Sequence, residues 1–315
     1  MLASVRARIS LAAPEWQLQP LALGQGVLAV LGRDEVRAFS LPDGGLLLAE
    51  PLATPRGVVA LAGGSLVVAG GDRALRIDPG AKRSVRLPPL PSLPGTLLLP
   101  ERRDSEFVWA VQTSGRLFLR QRLDLDPTRS FDQSITLEGY AGGPVTVLRD
   151  GAFFYAAPGG VRRAFPASRP RPFPTQFDLF RLLPARRVDQ AWAVGRDGSV
   201  ELWLVGERLR VERRFAAGAP PFDAAANERF LALVVVDEPG NAPRRFRLLV
   251  FDNDGQRVLE RSLPPGPPET GEDWTERAVE NRYVTLGDGQ PFVAVGGAGS
   301  VEVLELPGGR RLLPR

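Results

Sequence analysis

One short pattern recurs along the whole chain. In the stretch AWAVGRDGSVELWLV, residues 191–205, an apolar strand runs into a turn of Gly, Arg, Asp and Ser, and a second strand alternates apolar and polar residues. Related strings are VLAVLGRDEVRAFSL (27–41), SLVVAGGDRALRI (65–77), FVWAVQTSGRLFLRQRL (107–123) and AFFYAAPGGVRRAF (152–165). A longer-turned copy is FLALVVVDEPGNAPRRFRLLVF (230–251), and the last is FVAVGGAGSVEVLEL (292–306). The second strands begin at Val36, Leu75, Leu117, Val161, Val200, Phe246 and Val301. The intervals are 39, 42, 44, 39, 46 and 55 residues and average close to 44.

A period of this length holds four short strands and their turns. A lone four-stranded sheet with apolar central strands exposes two greasy faces, and a ring of such sheets buries both. The expected fold is therefore all-β: a seven-bladed β-propeller of four-stranded antiparallel blades. The blades fall at roughly 16–50, 54–88, 95–138, 144–176, 180–215, 221–263 and 282–313 of one propeller domain, 1–315. The fourth and seventh copies are irregular, so six and eight blades bracket the count. The segment Val5 to Leu11 precedes the first blade. It is expected to close the ring as an outer strand of the last blade, near Arg310 to Leu313, removing a free edge.

The strings GRDGSVELW (195–203), GRDEVRAFSLPDGG (32–45) and GAGSVEVLELPGG (297–309) resemble the repeats of WD40-like and quinoprotein-like β-propellers. The resemblance is at the level of the repeat and implies architecture only. WD40 blades carry a Gly-His pair and end in Trp-Asp, but this chain has no His and no Trp-Asp pair. The ligands of a quinone-holding propeller are also missing.

Composition removes most chemistry. With no Cys and no His, a thiol nucleophile, a disulfide, a thiolate zinc site and an imidazole base are all impossible. The net charge is +4, and Lys82 is the only lysine among 40 cationic residues. The doublets Arg102-Arg103, Arg162-Arg163, Arg186-Arg187, Arg213-Arg214, Arg244-Arg245 and Arg310-Arg311 are dispersed among a matching number of carboxylates. They read as Arg doing the work of Lys and guarding sheet edges, and no nucleic-acid partner is expected. No apolar run reaches the length of a membrane span or a signal peptide, so neither membrane insertion nor export is expected, and the location is taken as cytoplasmic.

Local motifs yield little. Gly24-Gln25-Gly26-Val27-Leu28-Ala29 has the spacing of a dinucleotide loop but is followed by a strand, not the helix N-terminus a pyrophosphate needs. Asp252-Asn253-Asp254-Gly255 lacks the downstream bidentate carboxylate of a calcium loop and reads as an Asx-rich hairpin turn. Asp124, Asp126 and Asp132 are the only weak metal candidates; no cofactor or obligate metal is expected. Trp109, Trp192 and Trp203 lie in strands and read as inter-blade packing.

Three segments interrupt the repeat: 124–133, Pro166 to Gln176 (PASRPRPFPTQ) and Pro264 to Trp274 (PPGPPETGEDW). The prolines of the second cannot donate ladder hydrogen bonds, so extended coil is expected in place of the fourth strand. Proline-rich segments with Arg and aromatic residues are preorganised for binding. Arg169, Arg171, Phe173, Phe177 and Trp274 are thus the candidate partner-binding residues.

The function expected is a non-catalytic protein–protein interaction scaffold in a bacterial multiprotein assembly. The Arg- and Ala-rich composition suggests a GC-rich bacterial source. Propellers of this kind stand in large bacterial genomes beside AAA-type ATPases and von Willebrand A-domain proteins, which gives one class of partner. The alternative is a carbohydrate-binding or carboxylate-dependent glycoside-hydrolysing propeller, which needs two or three carboxylates at the channel mouth.

Overall fold

The computed structural model describes residues 4–10, 21–24, 26–32, 34–41, 43–55, 57–61, 64–70, 73–87, 96–100, 107–112, 117–122, 133–166, 168–237, 245–263, 283–287, 291–297 and 300–306. Among the described residues, regular structure is strand apart from a 3-10 turn at Pro79–Ala81. The first strand, β1 (Ser4–Ser10), stands apart from the six complete blades that follow it in sequence. Blade one is β2 (Leu21–Gly24), β3 (Val27–Leu31), β4 (Glu35–Ser40) and β5 (Leu46–Pro51). Blade two is β6 (Gly57–Ala60), β7 (Leu66–Ala69), β8 (Ala74–Asp78) and β9 (Arg83–Leu87). Blade three is β10 (Thr96–Pro100), β11 (Phe107–Gln112), β12 (Leu117–Arg122) and β13 (Gln133–Thr136).

Blade four is β14 (Val145–Val147), β15 (Phe153–Ala157), β16 (Gly160–Ala164) and β17 (Arg171–Pro174). Blade five is β18 (Leu179–Pro184), β19 (Gln190–Gly195), β20 (Ser199–Val205) and β21 (Leu209–Ala216). Blade six is β22 (Pro221–Ala226), β23 (Phe230–Val236), β24 (Phe246–Asp252) and β25 (Arg257–Ser262). Blade seven takes β26 (Tyr283–Leu286), β27 (Phe292–Gly297) and β28 (Ser300–Glu305) from the end of the chain and β1 from its start. Each third strand begins within one residue of the position the repeat assigns to it.

The seven sheets form a closed ring. The first strand of each blade lies against the first strand of the next, from β2 to β6, β10, β14, β18, β22 and β26, and from β26 back to β2. The core is correspondingly divided into seven apolar clusters, one at each seam between neighbouring blades. Strand β23 shows why. Phe230, Ala232, Val234 and Val236 pack toward blade seven, while Leu231, Leu233 and Val235 pack toward blade five. A strand alternates its side chains between two faces, so a run apolar at every position needs a neighbour on both sides. Outer strands differ: β21 is exposed through Arg210, Val211, Glu212, Arg213 and Arg214, a charged edge that discourages pairing with other chains.

Turn chemistry follows the residues. In the hairpin of blade five, the Ser199 hydroxyl and N–H donate to Asp197 at 2.5 and 2.9 Å, holding its carboxyl below the usual range. Gly198 sits at φ +84°, and a Cβ there would meet the Ala219 carbonyl oxygen at 2.3 Å. At the Asp252 turn, the carboxylate accepts the N–H groups of Asp254 and Gln256, both at 2.9 Å.

One expectation is refined and one corrected. The closing strand β1 completes the last blade as expected, pairing antiparallel with β28, with Ile9 opposite Val301; Arg310 to Leu313, near which the pairing was placed, lie outside the described residues. The paired segment of β28 is an apolar strand whose other edge is already filled by β27, so its free edge is the one that needs covering. The fourth strand of blade four does form: Arg171–Pro174 pairs with β16, with Phe173 opposite Val161. Its prolines are at alternate positions, 172 and 174. The N–H of Thr175, in phase with 171 and 173, donates to Gly159 at 3.4 Å. The missing N–H groups therefore fall on the solvent side of an outermost strand, where none is required.

Ile9 is buried in the seam between blades seven and one. Ile9→Ala is expected to destabilise the protein by about 2–4 kcal/mol. Urea denaturation followed by tryptophan fluorescence checks this; an unchanged midpoint would show that β1 does not hold the ring shut.

Candidate protein-interaction face

Because successive strands are antiparallel, turns alternate between two ends of the barrel-like ring. The turns joining first to second and third to fourth strands share one end. In blades four, five and six these are 148–152 and 165–170, 185–189 and 206–208, and 227–229 and 253–256. Contacts among them agree with this assignment. Arg149 of blade four reaches Glu228 of blade six at 2.6 Å. The Asn227 amide donates to the Gly287 carbonyl of blade seven at 2.8 Å, and the Asn253 amide to that of Glu228 at 2.7 Å.

The seam between blades four and five supports this end. Trp203 packs edge-on against Phe154 (6.0 Å between centroids) and Phe177 (5.6 Å), and Phe154 against Phe173 (6.5 Å). Glu201, 5% exposed, lies two residues before Trp203 and on the same side of β20. It accepts the Trp203 indole N–H at 2.6 Å and the Arg214 Nε–H at 2.7 Å. In a chain without His, this Glu–Trp–Arg set within blade five satisfies the buried Glu201 carboxylate and the Trp203 indole N–H. A link between blades is made at six and seven, where Arg261 donates to the buried Glu302 at 2.7 Å.

At the chosen end the seam opens onto a mixed surface. Arg163 stacks over Phe165 (5.1 Å to the ring centroid), donates to the Val205 carbonyl at 2.8 Å and pairs with Asp150. The Val205 N–H in turn donates to the Asp189 carbonyl at 2.7 Å. Phe165 of blade four and the turn 185–189 of blade five are thus linked through a short chain of contacts. Phe165 is 41% exposed and Val188 is 56% exposed. Around them stand Arg169, Arg171, Arg186 and Arg208, all exposed and without an ion-pair partner among the described residues.

The candidate residues from the sequence separate in space. Arg169 and Arg171 lie on this end. Phe173 is 3% exposed and Phe177 half-buried, so neither is an exposed anchor; strand alternation turns Phe173 inward, and Phe177 covers Trp203 from the opposite end. Trp274, Asp124, Asp126 and Asp132 lie outside the described residues. Phe165, Val188 and Arg208 had no motif to mark them, and Arg186 was marked only as one of several like doublets; adjacency of blades four and five gathers them. The doublets divide too. Arg162, Arg163, Arg213 and Arg214 are paired with Glu138, Asp150, Asp254 and Glu201, whereas Arg186 is free of any ion pair among the described residues.

The channel wall offers little chemistry. The seven inner strands carry two charged residues, Arg181 and Asp223. They face one another at 3.4 Å, and Asp223 also accepts the Val284 N–H at 3.0 Å, joining blades five, six and seven. Asp223 is the one carboxylate of these described inner strands, and Arg181 engages it. At the channel mouth, Asp150, Asp189 and Glu228 are each held by an arginine. Among the described residues no group of three or more acidic side chains converges to hold a metal ion, and no helix is long and apolar enough to cross a membrane.

The fold is that of WD40 β-propeller domains. The chain superposes on the β-propeller domain of Cps50 (Swd1) from Myceliophthora thermophila with a TM-score of 0.67 at 12% identity, covering 96% of this chain and 99% of that one. For the WD40 repeats of RRP9 the TM-score is 0.63 at 13% identity, with 96% and 99% covered. For Raptor from Chaetomium thermophilum it is 0.69 at 11% identity, with 97% of this chain matching 29% of that one. No protein-family profile and no curated protein sequence matches the chain.

Burial pushes the Asp223 carboxyl above the usual carboxylate range, against the downward pull of Arg181 and of the Val284 N–H. The folded chain then holds this proton more tightly than the unfolded one. The contribution is intact below about pH 4 and lost as pH rises through the folded pKa. Wild type should lose stability relative to Asp223→Asn as pH rises from about 3 to about 7, measured by urea denaturation. A constant difference across that range would show that Asp223 titrates as in the unfolded chain. Glu201→Ala strands a buried indole N–H and should cost about 1–3 kcal/mol. Trp203 emission should shift with it, and an unchanged urea midpoint would deny the Glu–Trp–Arg set a structural role.

Proposed function

We propose that this protein is a non-catalytic interaction scaffold, a subunit of a bacterial multiprotein assembly, whose partner docks on the end of the ring where blades four and five meet. One observation carries the reading. Phe165 and Val188 are exposed on the same end of adjacent blades, linked through Arg163, Val205 and Asp189, and the turns that carry them hold arginines with no internal ion pair among the described residues. Interface centres favour aromatic residues and Arg, and these stand on a seam stiffened by four packed aromatic rings. WD40 propellers, whose fold this chain shares, are typically non-catalytic interaction platforms. An AAA-type ATPase or a von Willebrand A-domain protein is the finer expectation for the partner.

The test is site-directed photo-cross-linking. Amine-reactive reagents are nearly blind to a protein with one lysine, so benzoylphenylalanine is placed at Phe165 or at Val188 in the full chain, in lysate of the cell it comes from. One or two proteins cross-linked at both positions, co-purifying in stoichiometric amount and absent when the probe replaces exposed Arg86 on blade two, are expected. Labelling no stronger at Phe165 and Val188 than at Arg86 would overturn the assignment of this face.

A further inference from the structure

Resting on that reading, we infer that the surface over the seam of blades four and five receives an acidic partner segment with interleaved apolar side chains. The argument begins with charge. The first-end turns of blades four and five, with Arg163 and Arg171 at their margins, hold seven arginines and three carboxylates. Arg149, Arg163 and Arg187 are consumed by Glu228, Asp150 and Asp189. What remains is Arg169, Arg171, Arg186 and Arg208 against a single unpaired carboxylate, Glu207. The whole chain has a net charge of only +4, so this is a local concentration. Arginines elsewhere are in part paired across blades, as Arg213 with Asp254 and Arg261 with Glu302, and in part unpaired among the described residues, as Arg83 and Arg86. What sets this end apart is that its four unpaired arginines lie in or beside the turns that carry exposed Phe165 and Val188.

Apolar groups sit within the same patch. Phe165 is kept outward by its turn: the Ser168 hydroxyl donates to the Phe165 carbonyl at 2.9 Å and accepts the Phe165 N–H at 3.0 Å. Beyond it, Arg169 and Arg171 alternate with Pro170 and Pro172, whose fixed φ limits the backbone freedom that binding would otherwise remove. Guanidinium groups accept carboxylates through paired, directional N–H bonds. A segment that sets carboxylates over Arg169, Arg171, Arg186 and Arg208, and an aromatic or aliphatic side chain between Phe165 and Val188, satisfies both features. A nucleic-acid backbone fits less well: it would meet Glu207 and Asp189 within the patch and leave Phe165 and Val188 without an apolar partner.

Fluorescence anisotropy with full-length protein tests this. The probes are labelled 15-residue peptides in which Phe and Leu are spaced at varied intervals in a background of Asp and Glu, of Ser and Gly, or of Lys and Arg. A labelled 20-nucleotide single-stranded DNA is the fourth probe. The acidic–apolar peptides should bind at least about tenfold more tightly than the Ser/Gly set, and more weakly as salt rises. The triple variant Arg169→Glu, Arg186→Glu, Arg208→Glu should lose at least about tenfold, and Phe165→Ser several-fold. The triple Arg→Lys variant should recover part of the binding. Arg83→Glu with Arg86→Glu, on the outer strand of blade two, should change nothing. Circular dichroism shows that each variant is folded.

Three results would overturn the inference. Ser/Gly–apolar peptides binding wild type and the triple Glu variant equally would leave an apolar platform without charge selection, and the scaffold reading would stand. DNA bound more tightly than every peptide, with loss in the triple Glu variant, would make the patch an anion site and remove the scaffold reading with it. No peptide of any background binding would also reject a linear acidic segment as the occupant; the photo-cross-linking experiment then decides separately whether a folded partner uses this face.

Discussion

Everything in this structure depends on burying both faces of each sheet. The second strands of the blades are apolar at nearly every position, as in Phe230 to Val236, where all seven residues are buried, and the third strands alternate apolar and polar residues. Burying a Val, Leu or Phe side chain contributes roughly 1.5–3 kcal/mol each, and a strand can present such residues alternately only if sheets flank it on both sides. A ring meets that demand without leaving an end sheet. Seven seams, each with its own cluster, are the direct consequence, and β1 completes the last sheet with residues from the other end of the chain.

The polar groups are arranged around that constraint. A propeller seam can bury a charge only if its partners come with it. Glu201 takes the Trp203 indole and Arg214, Glu302 takes Arg261 from the neighbouring blade, and Asp223 takes Arg181 and a backbone N–H from two different blades. The Glu302 and Asp223 contacts tie neighbouring blades at points where hydrophobic packing alone carries no direction, and the Glu201 set fixes Trp203 within blade five. Arginines that stay unpaired at the blade four–five end share their turns with exposed Phe165 and Val188, and on the proposed reading an external partner supplies their carboxylates.

How much of this was legible varied with the range of the interaction. The alternation in 191–205 and its recurrence near every 44 residues sufficed for seven four-stranded blades, because strand period and blade length are local properties. The tryptophans at 109, 192 and 203 read correctly as seam packing. The segment 166–176 read less well: its prolines suggested coil, yet Arg171–Pro174 pairs because the prolines fall in phase with solvent, and Phe173 turns inward for the same reason. The ring closure was foreseen, but its register, Ile9 against Val301, rests on which edge of β28 was left open.

The sequence by itself determined the class of chemistry and the architecture. Without His or Cys it excluded thiol and imidazole catalysis, and its repeat specified stacked four-stranded sheets. Tertiary structure alone decided which residues make up the proposed docking surface. Phe165, Arg169, Arg186, Val188 and Arg208 span three separate turns; a proline-rich segment marked Arg169 and a doublet marked Arg186, but nothing local joined them or marked the other three. They become one surface because antiparallel strands return alternate turns to the same end and because the seam brings blade five against blade four. Which arginines remain available is likewise a matter of three-dimensional pairing, since each doublet looks alike until its carboxylates are located.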